Sequence, residues 1–323
     1  MRVSDLKAEI DLAERLGRGA YGEVFKGTHK GDRVDYAIKV MKKRKVDQIS
    51  ILREVDVLNK LSGHPGVVKL KDNFQTQKEY IFVMELLLGG ELFDYLIEKE
   101  YLSEKDATCY VWELLEIMNY LHKQHICHLD LKPENIILVD PVNHKIKLID
   151  FGCARDLSLE GDVSTLVGTA EFQAPEAINY DPVTTAVDMW SSGVITYIML
   201  SGISPFLGDT DAETCQNVSV GDYDYEDEFP AVSQDAKDFI DGLLLRNPKK
   251  RLTAEQALRH KWLETSSSME SNIIDTKRLK QYRARRRLKA ALHTVRISCA
   301  MARLMNSPRC ETPPPLGDGA AMT

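Results

Sequence analysis

His128-Leu129-Asp130-Leu131-Lys132-Pro133-Glu134-Asn135 puts a carboxylate, an ammonium and an amide within six residues, on a stretch that Pro133 stiffens. An Asp able to accept a proton, a Lys two residues on able to meet an anion and an Asn able to hold a metal read as a reaction centre. Fifteen residues past Asn135, Asp150-Phe151-Gly152 adds a second carboxylate at the end of the strand-like run 146–149. Two polar clusters in this order define what the flanking sequence has to position.

Working back, residues 10–41 read as three strands broken by glycine turns, with alternation through Leu16, Val24 and Ile38. The first turn, Gly17-Arg18-Gly19-Ala20-Tyr21-Gly22-Glu23-Val24, is a G-x-G-x-x-G. Its glycines would let backbone approach phosphates, and it runs from strand to strand, whereas a dinucleotide fingerprint opens a helix. A helix is expected over 47–61, with Ile51, Val55 and Leu58 on one face and Glu54 beside it. Strands are expected over 67–74 and 80–84, and a long helix from a Ser103 cap to about Gln124. A short helix is read around 273–281.

The 323 residues, 43% apolar, can fill two lobes. No run reaches the roughly 18 uninterrupted apolar residues that a membrane span needs. The charged start lacks the apolar centre of a secretory signal, so a cytoplasmic protein is expected. Six cysteines without C-x-x-C spacing argue against a zinc site or a disulfide frame. The net charge of −7 hides an asymmetry: residues 277–296 hold nine Lys or Arg and no acid, leaving 33 basic against 49 acidic residues elsewhere.

These stretches together resemble the protein kinases, and most closely the calcium/calmodulin-dependent Ser/Thr group that includes myosin light chain kinase and its twitchin-like and death-associated relatives. The carriers are H-L-D-L-K-P-E-N, D-F-G, the Gly-rich turn, Y-A-I-K ending at Lys39, G-G-E-L-F at 89–93, A-P-E at 174–176 and D-M-W-S-S-G at 188–193. The resemblance implies an α+β, two-lobed kinase fold with a small sheet lobe at 10–84, a hinge at 85–88 and a large helical lobe at 89–263. Residues 1–9 would be an extension, 264–303 a regulatory segment and 304–323 a disordered end.

It also implies transfer of a phosphoryl group from ATP, with Mg²⁺, to a Ser or Thr. Asp130 would take the hydroxyl proton, Lys132 would screen the moving phosphoryl, and Asn135 and Asp150 would hold the metal. Lys39, paired with Glu54, would hold the α- and β-phosphates. Leu16, Gly17, Gly19, Gly22, Val24, Ala37, Glu85, Leu87, Glu91, Ile137 and Asp150 would complete the nucleotide site. His128 is read as a packing residue beside Leu58, Leu70 and Phe151, and Arg251 as the partner of buried Glu176. Glu91 and Glu134 would face a basic residue upstream of the phosphoacceptor, with the acidic run from Asp222 to Glu228 adding a diffuse field. Leu129 stands where the family usually has Arg, which implies activity without phosphate on Ser158, Ser164, Thr165 or Thr169.

In the tail, Leu288, Leu292, Val295 and Met301 stand at relative positions 1, 5, 8 and 14, similar to the anchors of many Ca²⁺-calmodulin targets. Arginines surround them, so one segment would both bind calmodulin and lie against the acidic substrate cleft. Two other readings of the sequence fit less well. A scaffold without turnover conflicts with the presence of Lys39, Asp130, Asn135 and Asp150 together. A nuclear or nucleic-acid-binding tail has no use for that apolar spacing.

Overall fold

Strand alternation from Ile10 onward builds the small lobe, since period-2 residues can cover one sheet face while the others meet water or a helix. A computed structural model describes residues 1–18, 22–161, 163–164, 168–225, 232–264 and 272–288. Gly19, Thr165, residues 226–228, the linker 265–268, Leu292, Val295, Met301 and the end 304–323 lie outside the described residues. Two compact units divide the chain, Met1–Tyr282 and Arg283–Thr323.

The sheet has six strands in the order β1-β5-β6-β4-β3-β2: β1 (Arg2–Val3), β2 (Ile10–Arg18), β3 (Gly22–His29), β4 (Asp35–Lys42), β5 (Leu70–Gln75) and β6 (Glu79–Glu85). All neighbours pair antiparallel except β1, which runs parallel to β5. Residues 1–9, expected as an extension, therefore supply a sheet edge, pinned where Arg2 meets Glu9 and Asp72, both at 2.6 Å. Gly22 is demanded by packing: a Cβ there would lie 2.1 Å from the Val40 carbonyl oxygen.

One sheet face closes over Ile10, Ile38, Phe74, Ile81 and Val83. The other joins Met41, Tyr80 and Phe82 to Ile51 and Val55 of the helix Gln48–Lys60. That helix starts where the Asp47 side chain accepts from Ser50 N at 2.8 Å, satisfying one of the unpaired first-turn amides.

The large lobe is built on the helix Glu104–Lys123, capped by Ser103 as expected, and on the helix Ala186–Ser201, buried from Val187 onward. Its short strands are β7 (Tyr101–Ser103), β8 (Ile126–Cys127), β9 (Ile136–Asp140), β10 (Lys145–Leu148) and β11 (Arg155–Asp156). β9 and β10 form a hairpin, and β8 pairs with β11. Arg251 meets Glu176 through two nitrogens, at 2.7 and 3.1 Å, and also donates to the carbonyls of Leu245 and Ala186. A buried guanidinium so satisfied is a tie between distant segments. No helix among the described residues is long and apolar enough to cross a membrane.

The expected two-lobed α+β architecture is thus present, with one correction near the end. Residues 273–275, read as the start of a helix, form β12 (Ile273–Asp275), antiparallel to β7. Helix begins only at 277, and Leu279 and Tyr282 are buried in the large-lobe core. The first unit accordingly continues well beyond residue 263. In the second unit the described residues, 283–288, are helical.

Candidate active site

The loop His128–Asn135 is held from beneath by one carboxylate. Asp188, fully buried, accepts from His128 N at 2.9 Å, from Leu129 N at 3.0 Å and from His122 Nε2 at 3.0 Å. Burial pushes its carboxyl pKa up, but the His122 hydrogen bond and the nearby histidines more than reverse this, leaving it below the ordinary value. These bonds matter because Leu129 has φ of +64°, a left-handed conformation costly for a branched side chain. Gln173 Nε2 adds a third restraint at 3.1 Å on the Leu129 carbonyl. His128 is a packing residue, as expected: its ring lies 4.9 Å from that of Phe151 and bridges Asp130 N to the Ile149 carbonyl.

On this platform Lys132 Nζ donates to Asp130 Oδ2 at 2.6 Å, and Asn135 Nδ2 donates to the Asp130 carbonyl at 2.8 Å. The other carboxylate oxygen, Asp130 Oδ1, is buried and accepts no hydrogen bond from the described residues. A buried acceptor left open is expensive, and a substrate hydroxyl would satisfy it. Gly168 stands over it with φ of +92°; a Cβ there would be 2.8 Å from Oδ1, so only glycine leaves the approach clear.

Across the cleft, β4 carries Lys39, whose Nζ meets Glu54 Oε1 at 2.6 Å and Asp150 Oδ1 at 3.0 Å. Burial alone would favour the neutral amine, yet the two carboxylates hold Lys39 protonated, its pKa raised above the ordinary value. The Lys39 charge holds Asp150 below the usual carboxylate range, while burial lifts Glu54. Asp150, at φ +61°, keeps 42% of its side chain accessible. Mg²⁺ binds through one or two carboxylates plus substrate phosphates rather than in a full protein cage. Asp150 with Asn135 fits that demand, and among the described residues no cluster of three or more His, Cys, Asp or Glu competes with it.

The cleft between these groups holds about 510 Å³. Of the expected nucleotide-site residues, Leu16, Gly22, Val24, Ala37, Lys39, Glu85, Leu87, Ile137 and Asp150 line it, with Asp130, Lys132 and Asn135 at its floor. Glu54 stands behind Lys39. Gly17 and Glu91 are not among the lining residues; Glu91 instead precedes the helix Leu92–Glu98 and bridges to Ile137. The Glu85 side chain turns away to Lys147 and to Lys69 N, leaving backbone toward the cleft. Val68, Met84, Ile149 and Cys153 also line the cleft. The Cys153 thiol is pushed up to about 11 by burial and then by Asp130 and Asp150.

Beyond this cleft, Tyr282 donates from its hydroxyl to Glu171 Oε1 at 2.7 Å, both residues being buried. Glu171 lies two residues after Thr169, whose hydroxyl is 3.5 Å from Lys132 Nζ. The tail's first turn of helix is thereby tied to the strip of chain that ends at the reaction centre.

Comparison with known proteins agrees with this geometry. Residues 10–263 match the family described as Protein kinase domain. The chain is 42% identical over 301 residues to Death-associated protein kinase 2 of Mus musculus, covering 88% of this chain and 81% of that protein. It is 42% identical over 299 residues to smooth muscle myosin light chain kinase of Gallus gallus, covering 91% of this chain but only 16% of that much longer protein. Among solved structures, a twitchin kinase fragment from C. elegans, described as autoregulated, superposes with a TM-score of 0.82 at 35% identity, covering 90% of this chain and 66% of its own. The autoinhibited serine kinase domain of titin gives 0.78 at 33%, covering 86% and 88%.

Proposed function

We propose, from the premise that this chain belongs to the protein kinase family and is a Ser/Thr kinase of the calmodulin-dependent and myosin light chain kinase group, that its cleft transfers the γ-phosphoryl of ATP to basic-motif proteins under control of its own C-terminal segment. The observation carrying the proposal is one cleft in which the Lys39–Glu54–Asp150 ion set faces Asp130, Lys132 and Asn135.

The open Oδ1 of Asp130 receives the substrate hydroxyl and takes its proton, while Lys132, held at 2.6 Å on the other oxygen, screens charge on the moving phosphoryl. Lys39 orients the nucleotide phosphates, and Glu54 fixes Lys39. Asp150 and Asn135 are the residues that would hold Mg²⁺, which when bound neutralises phosphate charge. Glu134, on the loop beside Lys132, and Glu91 are the proposed receptors for a cationic side chain upstream of the acceptor. Asp130→Asn tests the core of this reading. With Mg-ATP and a basic Ser peptide, turnover should fall by about 10²-fold or more with ATP affinity retained, as expected for loss of a general base. Turnover within threefold of the wild type would refute the assignment.

The regulatory part is supported by the docked residues 272–282 and by the Tyr282–Glu171 bond. Ca²⁺-calmodulin, engaging Leu288, Leu292, Val295 and Met301, is proposed to draw the segment away, in the cytoplasm. Full-length protein should then gain activity on adding Ca²⁺-calmodulin, and truncation near Thr265 should make activity independent of it. Equal activity of the two forms without calmodulin would remove autoinhibition, and an isolated 280–303 peptide that fails to bind calmodulin would remove its trigger.

A further inference from the structure

The activation segment between Asp150 and Glu176 begins with a feature that the catalytic assignment does not use. Asp156 caps the short helix Leu157–Glu160, and its Oδ2 receives Lys60 Nζ at 2.5 Å. Four residues on, Glu160 Oε1 lies 3.1 Å from Arg53 Nε, and Glu160 Oε2 lies 3.4 Å from Arg155 Nε. Arg53 and Lys60 sit seven residues apart on the helix Gln48–Lys60, so they share one face, and Arg53 immediately precedes Glu54. Two anions of one segment therefore grip the helix that presents Glu54 to Lys39. The pairs are only partly shielded, with side-chain exposures of 26% for Arg53, 15% for Arg155 and 27% for Glu160.

Without Glu160 two guanidiniums would be left close together: burial and the nearby Arg53 charge both lower the Arg155 pKa, and Glu160 works against them. In phosphorylation-controlled kinases a phosphate on this segment meets arginines, orders the segment and sets the position of this helix. Here Leu129 offers the activation segment no guanidinium from the catalytic loop. The Ser158 hydroxyl already donates to Asp156 at 2.5 Å, so a phosphate on Ser158 would meet the Asp156 carboxylate.

We propose that Glu160 is a positioning residue, a permanent carboxylate that bridges Arg53 and Arg155 and thereby holds Glu54 against Lys39 without any phosphorylation. It acts through Arg53 and Glu54 and touches no reacting atom. The inference rests on the kinase reading above, and its test is chosen to be separable from it.

Full-length protein, assayed with a basic Ser peptide in the presence of Ca²⁺-calmodulin, is compared with Glu160→Gln, Glu160→Asp, Arg53→Met and the Glu160→Gln/Arg53→Met double variant. Glu160→Gln should lower kcat by about fivefold with peptide KM within twofold, since a partly exposed ion pair sets that scale. Glu160→Asp should recover most of the loss. Arg53→Met should match Glu160→Gln, and the double variant should be no worse than either single. Amide exchange over residues 48–60 should rise in Glu160→Gln and return toward wild type in Glu160→Asp, a readout that needs no turnover. The proposal is overturned if Glu160→Gln keeps wild-type kcat, if Glu160→Asp is as impaired as Glu160→Gln, if the two single losses multiply, or if exchange over 48–60 does not change. Should wild-type protein itself show no turnover, the kinase reading falls while the exchange comparison still decides the role of Glu160.

Discussion

Two buried carboxylates organise this molecule, and they do so in opposite ways. Asp188 receives the backbone N–H groups of His128 and Leu129 and one side chain, His122, all within the catalytic core. Glu104, 2% exposed, receives Ser233 N at 3.0 Å, Ser233 Oγ at 2.5 Å and Trp262 Nε1 at 2.8 Å from the large lobe. Its remaining donor, Asn272 Nδ2 at 2.9 Å, belongs to the C-terminal segment, and Glu104 N donates back to the Asn272 carbonyl. Removing the segment would leave Glu104 still bonded to Ser233 and Trp262. Among the described residues Asp188 has no partner in the C-terminal segment. Loss of its anchor would leave the catalytic loop with unsatisfied buried groups, whereas release of the C-terminal segment, as the proposed regulation requires, would leave Glu104 satisfied by its other partners.

The largest effect is expected at the permanent site. Asp188→Ala strips the acceptor from two buried N–H groups and from His122, and should destabilise the protein by about 3–5 kcal/mol, as when one partner of a buried charge network is removed. Thermal unfolding measures this, and an unshifted Tm would show that the loop stands without its anchor. The same carboxyl gives a pH signature. Its folded pKa is depressed, so its contribution is present above the unfolded value and is lost as pH falls through the lower folded value. Asp188 therefore adds to acid unfolding below about pH 4 and is silent above it.

Glu104→Gln should cost less, about 1–3 kcal/mol, because an amide keeps one acceptor oxygen but cannot serve all four donors. The comparison sharpens with Asn272→Ala, which removes only the detachable donor. Global stability should then drop by no more than about 1 kcal/mol, while limited proteolysis should cut sooner around residues 272–282. If Asn272→Ala were as damaging as Glu104→Gln, the segment would be an integral part of the lobe and the contrast would fail.

How far these features could be read in advance follows the same division. Asp130, Lys132, Asn135, Asp150, Lys39 and Glu54 were legible because phosphoryl transfer fixes residue type and local spacing together. The Ser103 cap and the Glu176–Arg251 pair were legible for similar reasons. The strand Ile273–Asp275 was not: its partner, Tyr101–Ser103, lies far away in sequence, and no local period encodes that pairing. Glu104 and Glu160 carry no local signal that singles them out, since their burial and ion pairing arise only from tertiary contact. Gly17 and Glu91, assigned by resemblance to the nucleotide site, are not among the residues that line the cleft, whereas Leu16, Gly22, Val24 and Ala37 are.

The smallest substitution tests the reversible side most directly. Tyr282→Phe deletes one oxygen, keeps the ring in its buried place and leaves the catalytic groups untouched. Tyr282 donates at 2.7 Å to a carboxylate, and such a hydrogen bond is worth about 1.5–3 kcal/mol when its partner is charged. Much of that benefit returns if water reaches Glu171 in the variant, so the closed state should lose about 1 kcal/mol, near a fivefold shift in the closed-to-open ratio. The expected reading is activity without calmodulin raised by about that factor, with the calmodulin-saturated rate unchanged. A rise in both rates would place Tyr282 in the catalytic machinery. No rise in either would mean that the β12–β7 pairing and the Asn272–Glu104 bond hold the segment without it.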